Sequence, residues 1–394
     1  MKKSLLALVI AACASQSVMA ATVYDKDGTS LKVGGRVQAV LYKGGSDGKM
    51  AGEKDSTLEN SARFNIEGKT KVNSNLKPFA KAEWDMADSS TRAGDKVKSR
   101  DMFVGVNFGD FGKLQLGRYK SNQAWVTKTT DVFDDFGCLA QSNDDSRNSG
   151  RIDYEFSRAG FDAKIGYVTA VDSFKIVGND ANKFNGVKFK SVAIDHAFSL
   201  ATGYTFDNVA FGPLSLRAGY EQIVGQEGDD LKGKGVFDAK KDLKTGFENF
   251  DKTSAYSLGA SWGSDVGFYT GLSFENKKYQ FNNDIDDVKT QALEFVVGYG
   301  FDFGLSLVAG YNQVKIKDIT YFYNKTEKDV EDFTLKYLPV YANYKLNPNF
   351  NIWTEARFNL TSDHDLDIAS LKYEEAGDAT TDGTYFSVGA RYTF

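Results

Sequence analysis

The feature that most constrains this chain is a long alternation of tight turns and polar loops. Tight turns fall at Asn73–Asn75 ("NSN"), Gly109–Gly112 ("GDFG"), Arg158–Gly160 ("RAG"), Asp207–Gly212 ("DNVAFG"), Ser264–Gly267 ("SDVG"), Asp302–Gly304 ("DFG") and Asn347–Asn349 ("NPN"). Longer stretches rich in Asp, Lys, Asn and Gly lie near 44–57, 90–97, 120–149, 171–190, 224–252, 282–289, 319–331 and 362–382. Seven short and eight long connections separate sixteen segments of about ten residues with a period of two. The count is even and both termini lie on the short-turn side. This predicts an all-β fold, a 16-stranded antiparallel transmembrane β-barrel with short periplasmic turns and long outer loops.

The faces of the segments carry the same message. Phe350, Ile352, Ala356, Phe358 and Leu360 share one parity, and Asn351, Glu355, Arg357 and Asn359 the other. At the C-terminus, Phe386, Val388, Ala390, Tyr392 and Phe394 alternate with Tyr385, Ser387, Gly389, Arg391 and Thr393. A soluble sandwich alternates too. The polar faces here, however, repeatedly carry charge, as in Lys81, Glu83 and Asp85 opposite Ala80, Ala82 and Trp84, which suits an aqueous lumen with lipid outside. Closure removes sheet edges that hydrocarbon would not tolerate. The load of 30 Phe and 20 Tyr beside 38 Gly and four Pro fits aromatic girdles. Pro78, Pro213 and Pro348 sit at short turns, whereas Pro339 interrupts a strand pattern. Gly34-Gly35 lies in a strand with no helix following, so close packing explains it better than phosphate binding.

Residues 1–20 read as a secretory signal, with Lys2 and Lys3, an apolar run and the ending Val18-Met19-Ala20. The barrel domain is then 21–394. Removing twenty residues from 394 leaves 374 and shifts the formal charge from −5 to −7, because two lysines leave. An acidic chain without a basic tail argues against nucleic acid as a partner. Cys138 alone remains after cleavage, so no internal disulfide is expected. No cofactor and no metal site are expected. Ser362–Asp367 ("SDHDLD") gathers three acids around His364 but lacks the glycine and bidentate glutamate of a calcium loop. Two histidines and no nucleophile pattern argue against an enzyme.

The longest early loop, 120–149, holds Asp131, Asp134 and Asp135 in "TDVFDDFGC". Sixteen tilted strands enclose a channel rather than a core, and this loop is long enough to fold back into it. Parity points Arg36, Arg63 and Arg151 inward, and Arg100 begins a strand of ambiguous parity. Acids and arginines facing across a gap would make a sharp field. On the residues alone, arginines that merely solvate the lumen account for the pattern equally well.

"TVYDKDGTSLKVGGR", "SARFNIEGKTKVNSNL", "KSRDMFVGVNFGDFGKLQLGR", "TDVFDDFG" and "GARYTF" resemble, in order, segments of the trimeric general porins of Gram-negative outer membranes. The resemblance is at residue level over the first six strands and the last, and architectural from about 171 to 380. It implies an inward-folded third loop, the constriction loop 120–149, whose acids face a basic ladder at Arg36, Arg63, Arg100 and Arg151. Asp131, Asp135, Phe136 and Gly137 match the family's loop pattern; Asp134 stands where the family often has proline, and Cys138 replaces a glycine. Phe394 matches its C-terminal assembly signal. The implied protein is a homotrimer in the outer membrane, in contact with lipid and lipopolysaccharide.

The function expected is passive diffusion of ions and small hydrophilic solutes. The net charge and Asp134 favour a weak cation preference, which four arginines oppose. The alternative is a substrate-specific sugar or oligosaccharide porin, with Trp353, Phe103, Tyr385 and Tyr42 as a lumenal stacking track.

Overall fold

The computed structural model describes residues 20–43, 56–86, 97–137, 147–174, 176, 192–226, 250–281, 287–317, 319–323, 326–370 and 384–394. Cys138 and all of the expected signal except Ala20 lie outside them. A short strand β1 (Ala21–Lys26) turns through Asp27-Gly28, both at positive φ, into β2 (Thr29–Lys43). Asp-Gly suits the tight hairpin turn that needs two left-handed residues. The wall continues with β3 (Ser56–Thr70), β4 (Lys77–Asp85), β5 (Lys98–Asn107), β6 (Lys113–Lys120), β7 (Arg147–Arg158) and β8 (Phe161–Val168), extended by β9 (Val171–Phe174). Next come β10 (Val192–Val209), β11 (Gly212–Gly225), β12 (Phe250–Gly263), β13 (Gly267–Phe281), β14 (Val288–Gly300) and β15 (Leu305–Lys317). A separate hairpin of β16 (Ile319–Tyr323) and β17 (Thr326–Val330) precedes β18 (Phe333–Asn347), β19 (Phe350–Asn359) and β20 (Tyr385–Thr393).

Each wall strand pairs antiparallel with its neighbours, and β20 pairs back onto β2 from Arg36↔Thr393 to Lys43↔Phe386. Counting β8 and β9 as one, sixteen strands close the barrel. The seam ends on the C-terminal residue, where the Gly35 and Phe394 amides and carbonyls exchange two hydrogen bonds of 2.9 Å. A Cβ on Gly35 would stand 2.7 Å from the Phe394 ring and 2.5 Å from the Arg63 carbonyl. The close approach anticipated at Gly34-Gly35 is therefore this closure seam.

All seven expected tight turns are present. Three close by one device, an asparagine side chain accepting from the amide two residues on: Asn73 from Asn75 at 2.9 Å, Asn107 from Gly109 at 2.7 Å, Asn347 from Asn349 at 2.8 Å. Outward parity carries the exposed apolar band, with Leu200, Leu216, Leu258, Leu272, Phe295 and Leu307 on neighbouring strands. Aromatic clusters mark its short-turn rim, as where Phe211 stacks on Trp262 at 3.8 Å. Pro339 lies inside β18, and there the ladder to β15 lapses between Ala309↔Val340 and Asn312↔Tyr337. A proline cannot donate to that ladder, and Phe133 fills the notch against Pro339 and Gly310.

Candidate functional site

After β6 the chain turns inward. Ser121 caps a short helix α1 (Asn122–Thr127), its Oγ accepting from Ala124 N at 3.2 Å, and a single 3-10 turn, Lys128–Thr130, follows. The loop then lies along the lumenal wall of β8 to β20. Asn122 donates to Ser199 at 3.0 Å, Gln123 to the Ala255 carbonyl at 3.1 Å, Thr129 to the Leu272 carbonyl at 2.8 Å and Thr130 to Glu294 at 2.7 Å. This seat exists because β8, β10, β11, β12, β13 and β15 each offer a glycine beneath it. A Cβ would meet the loop within 3.0 Å at Gly166, Gly203, Gly219, Gly259, Gly271 and Gly310, and at Gly271 it would stand 2.0 Å from the Thr129 carbonyl oxygen. Sequence reasoning missed this row, although one mid-strand glycine in each of these segments was its signal.

The loop tip is fastened by two carboxylates. Glu355 on β19 accepts the amides of Asp134 and Asp135 at 3.0 Å each, and that of Phe136. Asp135 accepts from Tyr42 at 2.9 Å, Trp353 at 2.9 Å and Ser387 at 2.5 Å. Asp135 is thus an anchor facing the wall, not the pore as expected. Burial and the neighbouring Asp134 charge push its carboxyl up from the usual range. Burial opposes ionisation of Asp134 as well, but Arg391, 2.8 Å away, and the Tyr341 hydroxyl at 2.7 Å hold it below that range. Arg391, itself packed on Trp353 at 4.6 Å, was not among the expected site residues. Replacing Arg391 by methionine would remove the 2.8 Å ion pair of the buried Asp134 and leave it the Tyr341 hydroxyl, a loss of up to about 3–5 kcal/mol that a urea titration of the folded barrel will read.

Fastened this way, the loop leaves a lumenal cavity of about 1160 Å³ that runs along β2 to β8 and reaches the short-turn ends of β13 to β20. Arg36, Arg63, Arg100 and Arg147 line it, as do Asp131 and Asp134. The arginines interleave with acids: Arg63 pairs with Asp85 at 2.9 Å, Arg100 with Glu83 at 2.8 Å and Asp85 at 3.0 Å, Arg147 with Asp101 at 2.7 Å. Asp131 faces Lys120 at 4.0 Å. Arg151 does not reach the cavity. It is 1% exposed, 3.7 Å from Asp153 and over the Tyr119 ring, so inward parity put it in the lumen but behind the loop. Arg147, one turn of the ladder higher and missed earlier, lines the cavity in its stead.

The four aromatics considered as a stacking track are engaged elsewhere. Tyr42 and Trp353 hold Asp135, Tyr385 packs on the Arg357 guanidinium at 3.9 Å, and Phe103 meets Phe79 and Tyr119. None of the four lines the cavity. "SDHDLD" opens a helix, α2 (Asp363–Ser370), where Asp365 accepts from the Thr334 amide at 2.9 Å and from Ser362 at 2.6 Å, a structural use of that acid.

A closed sixteen-strand barrel, apolar outside and charged within, defines a membrane-spanning pore. The chain belongs to the Gram-negative porin family, which it matches over residues 5–364. It is 30% identical to the outer membrane porin PhoE of Enterobacter cloacae over 383 residues, covering 94% of this chain and 97% of that protein. Outer membrane protein S2 of Salmonella typhi is 27% identical over the whole of both chains. Among solved structures, Salmonella typhi OmpF in complex with daunomycin matches the fold with a TM-score of 0.66 at 21% identity, covering 95% of this chain and 100% of that one. An anion-selective porin from Comamonas acidovorans matches at 0.61 and 17% identity, covering 93% and 100%. The protein is a multi-pass outer-membrane porin, and porins are channels rather than enzymes.

Proposed function

We propose that solutes diffuse passively through a constriction between the inward-folded loop and the arginine-bearing wall of β2 to β5. Asp131 and Asp134 would stand on the loop side, and Arg36, Arg63 and Arg100 on the other. The observation that carries this reading is the one-sided seat of the loop on the β8 to β20 wall, which leaves Arg36, Arg63 and Arg100 lining the same open cavity as Asp131 and Asp134. The driving force is the solute gradient; the protein supplies a radius and a transverse field.

The acidic charge of the whole chain does not extend to the lumen. Among the described residues, ten lysines and arginines against eight aspartates and glutamates line the cavity, and Asp135 is withdrawn from it. We therefore infer a weak preference for anions, the reverse of the expectation from net charge. In a potassium chloride gradient across a planar bilayer the reversal potential should lie on the chloride side, and a potential on the potassium side defeats this reading. The preference should also be pH-dependent. Burial, together with the nearby Lys120, Arg217 and Lys164, pulls the cavity-lining Lys128 down to about 8. Lys128 is charged below that value and loses its charge as pH rises through it, so the chloride preference should weaken between about pH 7 and 9, with Lys128→Met removing the change.

Two further readings are proposed with it. The first is a homotrimer. Its support beyond family is an outward patch of small side chains, where Ala39 pairs with Ala390 and Gly68 with Ala80, with Ala62 and Ala82 nearby. Elsewhere the same parity carries leucines and aromatics, whereas a flat small-residue face suits a second barrel; sedimentation in detergent decides. The second is signal cleavage after Ala20, which an intact mass of the membrane-extracted protein will test. Lipid and lipopolysaccharide would meet the outward face.

A further inference from the structure

On the long-loop side of the inward-folded loop, the lumenal wall changes character. Ile223 on β11, Tyr279 on β13, Val314 on β15 and Leu335 on β18 share the inward parity of the residues that seat the loop, yet they are apolar and at most 2% exposed. A wall facing water would present polar groups here. None of these residues lines the lumenal cavity. They pack in one cluster with Phe174 and Ile176, which follow β8 and are 2% and 0% exposed. Lys277, fully buried on the inward face of β13, donates its Nζ hydrogen bond to the Ile176 carbonyl. Phe174 still pairs with Val192 on β10, and β13 lies three strands farther round, about 14 Å at ordinary strand spacing. At Ile176 the chain has therefore left the wall and entered the lumen.

We propose that Ile176, pinned by Lys277, is folded into the lumen and caps the inward apolar residues of β11 to β18. With Phe174 it closes this apolar part of the lumenal wall to water and leaves solutes the cavity lined by Arg36, Arg63 and Arg100. Lys277 is a positioning residue, and the capped cluster shares the size limit with the loop after β6. The inference rests on the pore function but not on the constriction charges or the ion preference.

The test uses the whole refolded protein in a Cys138→Ser background. Ile176→Cys should react with a membrane-impermeant maleimide about tenfold or more slowly than Ser264→Cys, which lines the open cavity. Lys277→Met should make Ile176→Cys reactive and raise the single-channel conductance, and Lys277→Arg should restore both. Equal labelling of Ile176→Cys and Ser264→Cys in a conducting pore overturns the proposal, as does a folded Lys277→Met pore with unchanged labelling and conductance. Should Lys277→Met fail to fold, the labelling of Ile176→Cys decides alone. Loss of conduction by the parent protein would instead count against the pore itself.

Discussion

Gly271→Leu is expected to give a folded barrel whose single-channel conductance is roughly twice that of the parent, with a shorter and noisier open state. The new Cβ would stand 2.0 Å from the Thr129 carbonyl oxygen, so loop and wall cannot both stay where they are. The wall is tied by ladders on both sides of β13, from Phe250↔Phe281 through Gly263↔Tyr269 and from Gly267↔Gly300 through Tyr279↔Val288. The loop is held at this point by two hydroxyls, Thr129 on the Leu272 carbonyl and Thr130 on Glu294, and by Tyr269 on the Thr129 carbonyl. Overpacking of this kind costs about 1–3 kcal/mol, which the barrel survives and the loop seat does not. Bilayer recordings with the heat-modifiable gel shift as a folding control read the outcome, and an unchanged conductance from folded Gly271→Leu removes the glycine row from the account.

The second large effect concerns closure. Gly35→Leu should abolish the heat-modifiable folded form, and deleting Phe394 should reduce it severely. The two residues exchange both backbone hydrogen bonds at the end of the β2 and β20 seam, and the Phe394 ring covers the face where a leucine side chain would have to go. A barrel that cannot finish its seam exposes unpaired amides to hydrocarbon at several kcal/mol each. Gly68→Leu is the control, because nothing lies within 4 Å of a Cβ there. Refolding in detergent, followed by gel mobility with and without heating, distinguishes the three. Normal folding of Gly35→Leu would mean that the seam tolerates displacement of the C-terminal residue.

The contrast between what was legible in the chain and what was not has a physical basis. Turn chemistry is local, so Asn73, Asn107 and Asn347 announce their turns in a few residues. Parity is nearly as local, and it assigned Arg36 and Arg63 to the lumen. Height within the barrel is not local. Arg151 and Arg147 belong to one strand, and only the seat of the loop decides that one is covered and the other lines the cavity. Asp135 and Asp134 are adjacent, but their roles are set by Trp353, Ser387 and Arg391, more than two hundred residues away. Each lumenal glycine reads alone as an ordinary barrel residue, and becomes a seat only once the strand register aligns it with its neighbours. Pro339 looked like a flaw in its strand because the Phe133 that fills its notch lies on a loop far earlier in the chain.

The proposed passive pore is narrowed between the seated loop and the wall of β2 to β5. Single-channel recording from refolded protein in a planar bilayer, with Arg63→Ala/Arg100→Ala beside the parent, tests it most directly. Stable ohmic steps from the parent, and a reversal potential displaced toward potassium in the double variant, are the predicted result. Steps whose selectivity ignores the loss of both arginines would leave a pore whose narrow part lies elsewhere, and would contradict the account.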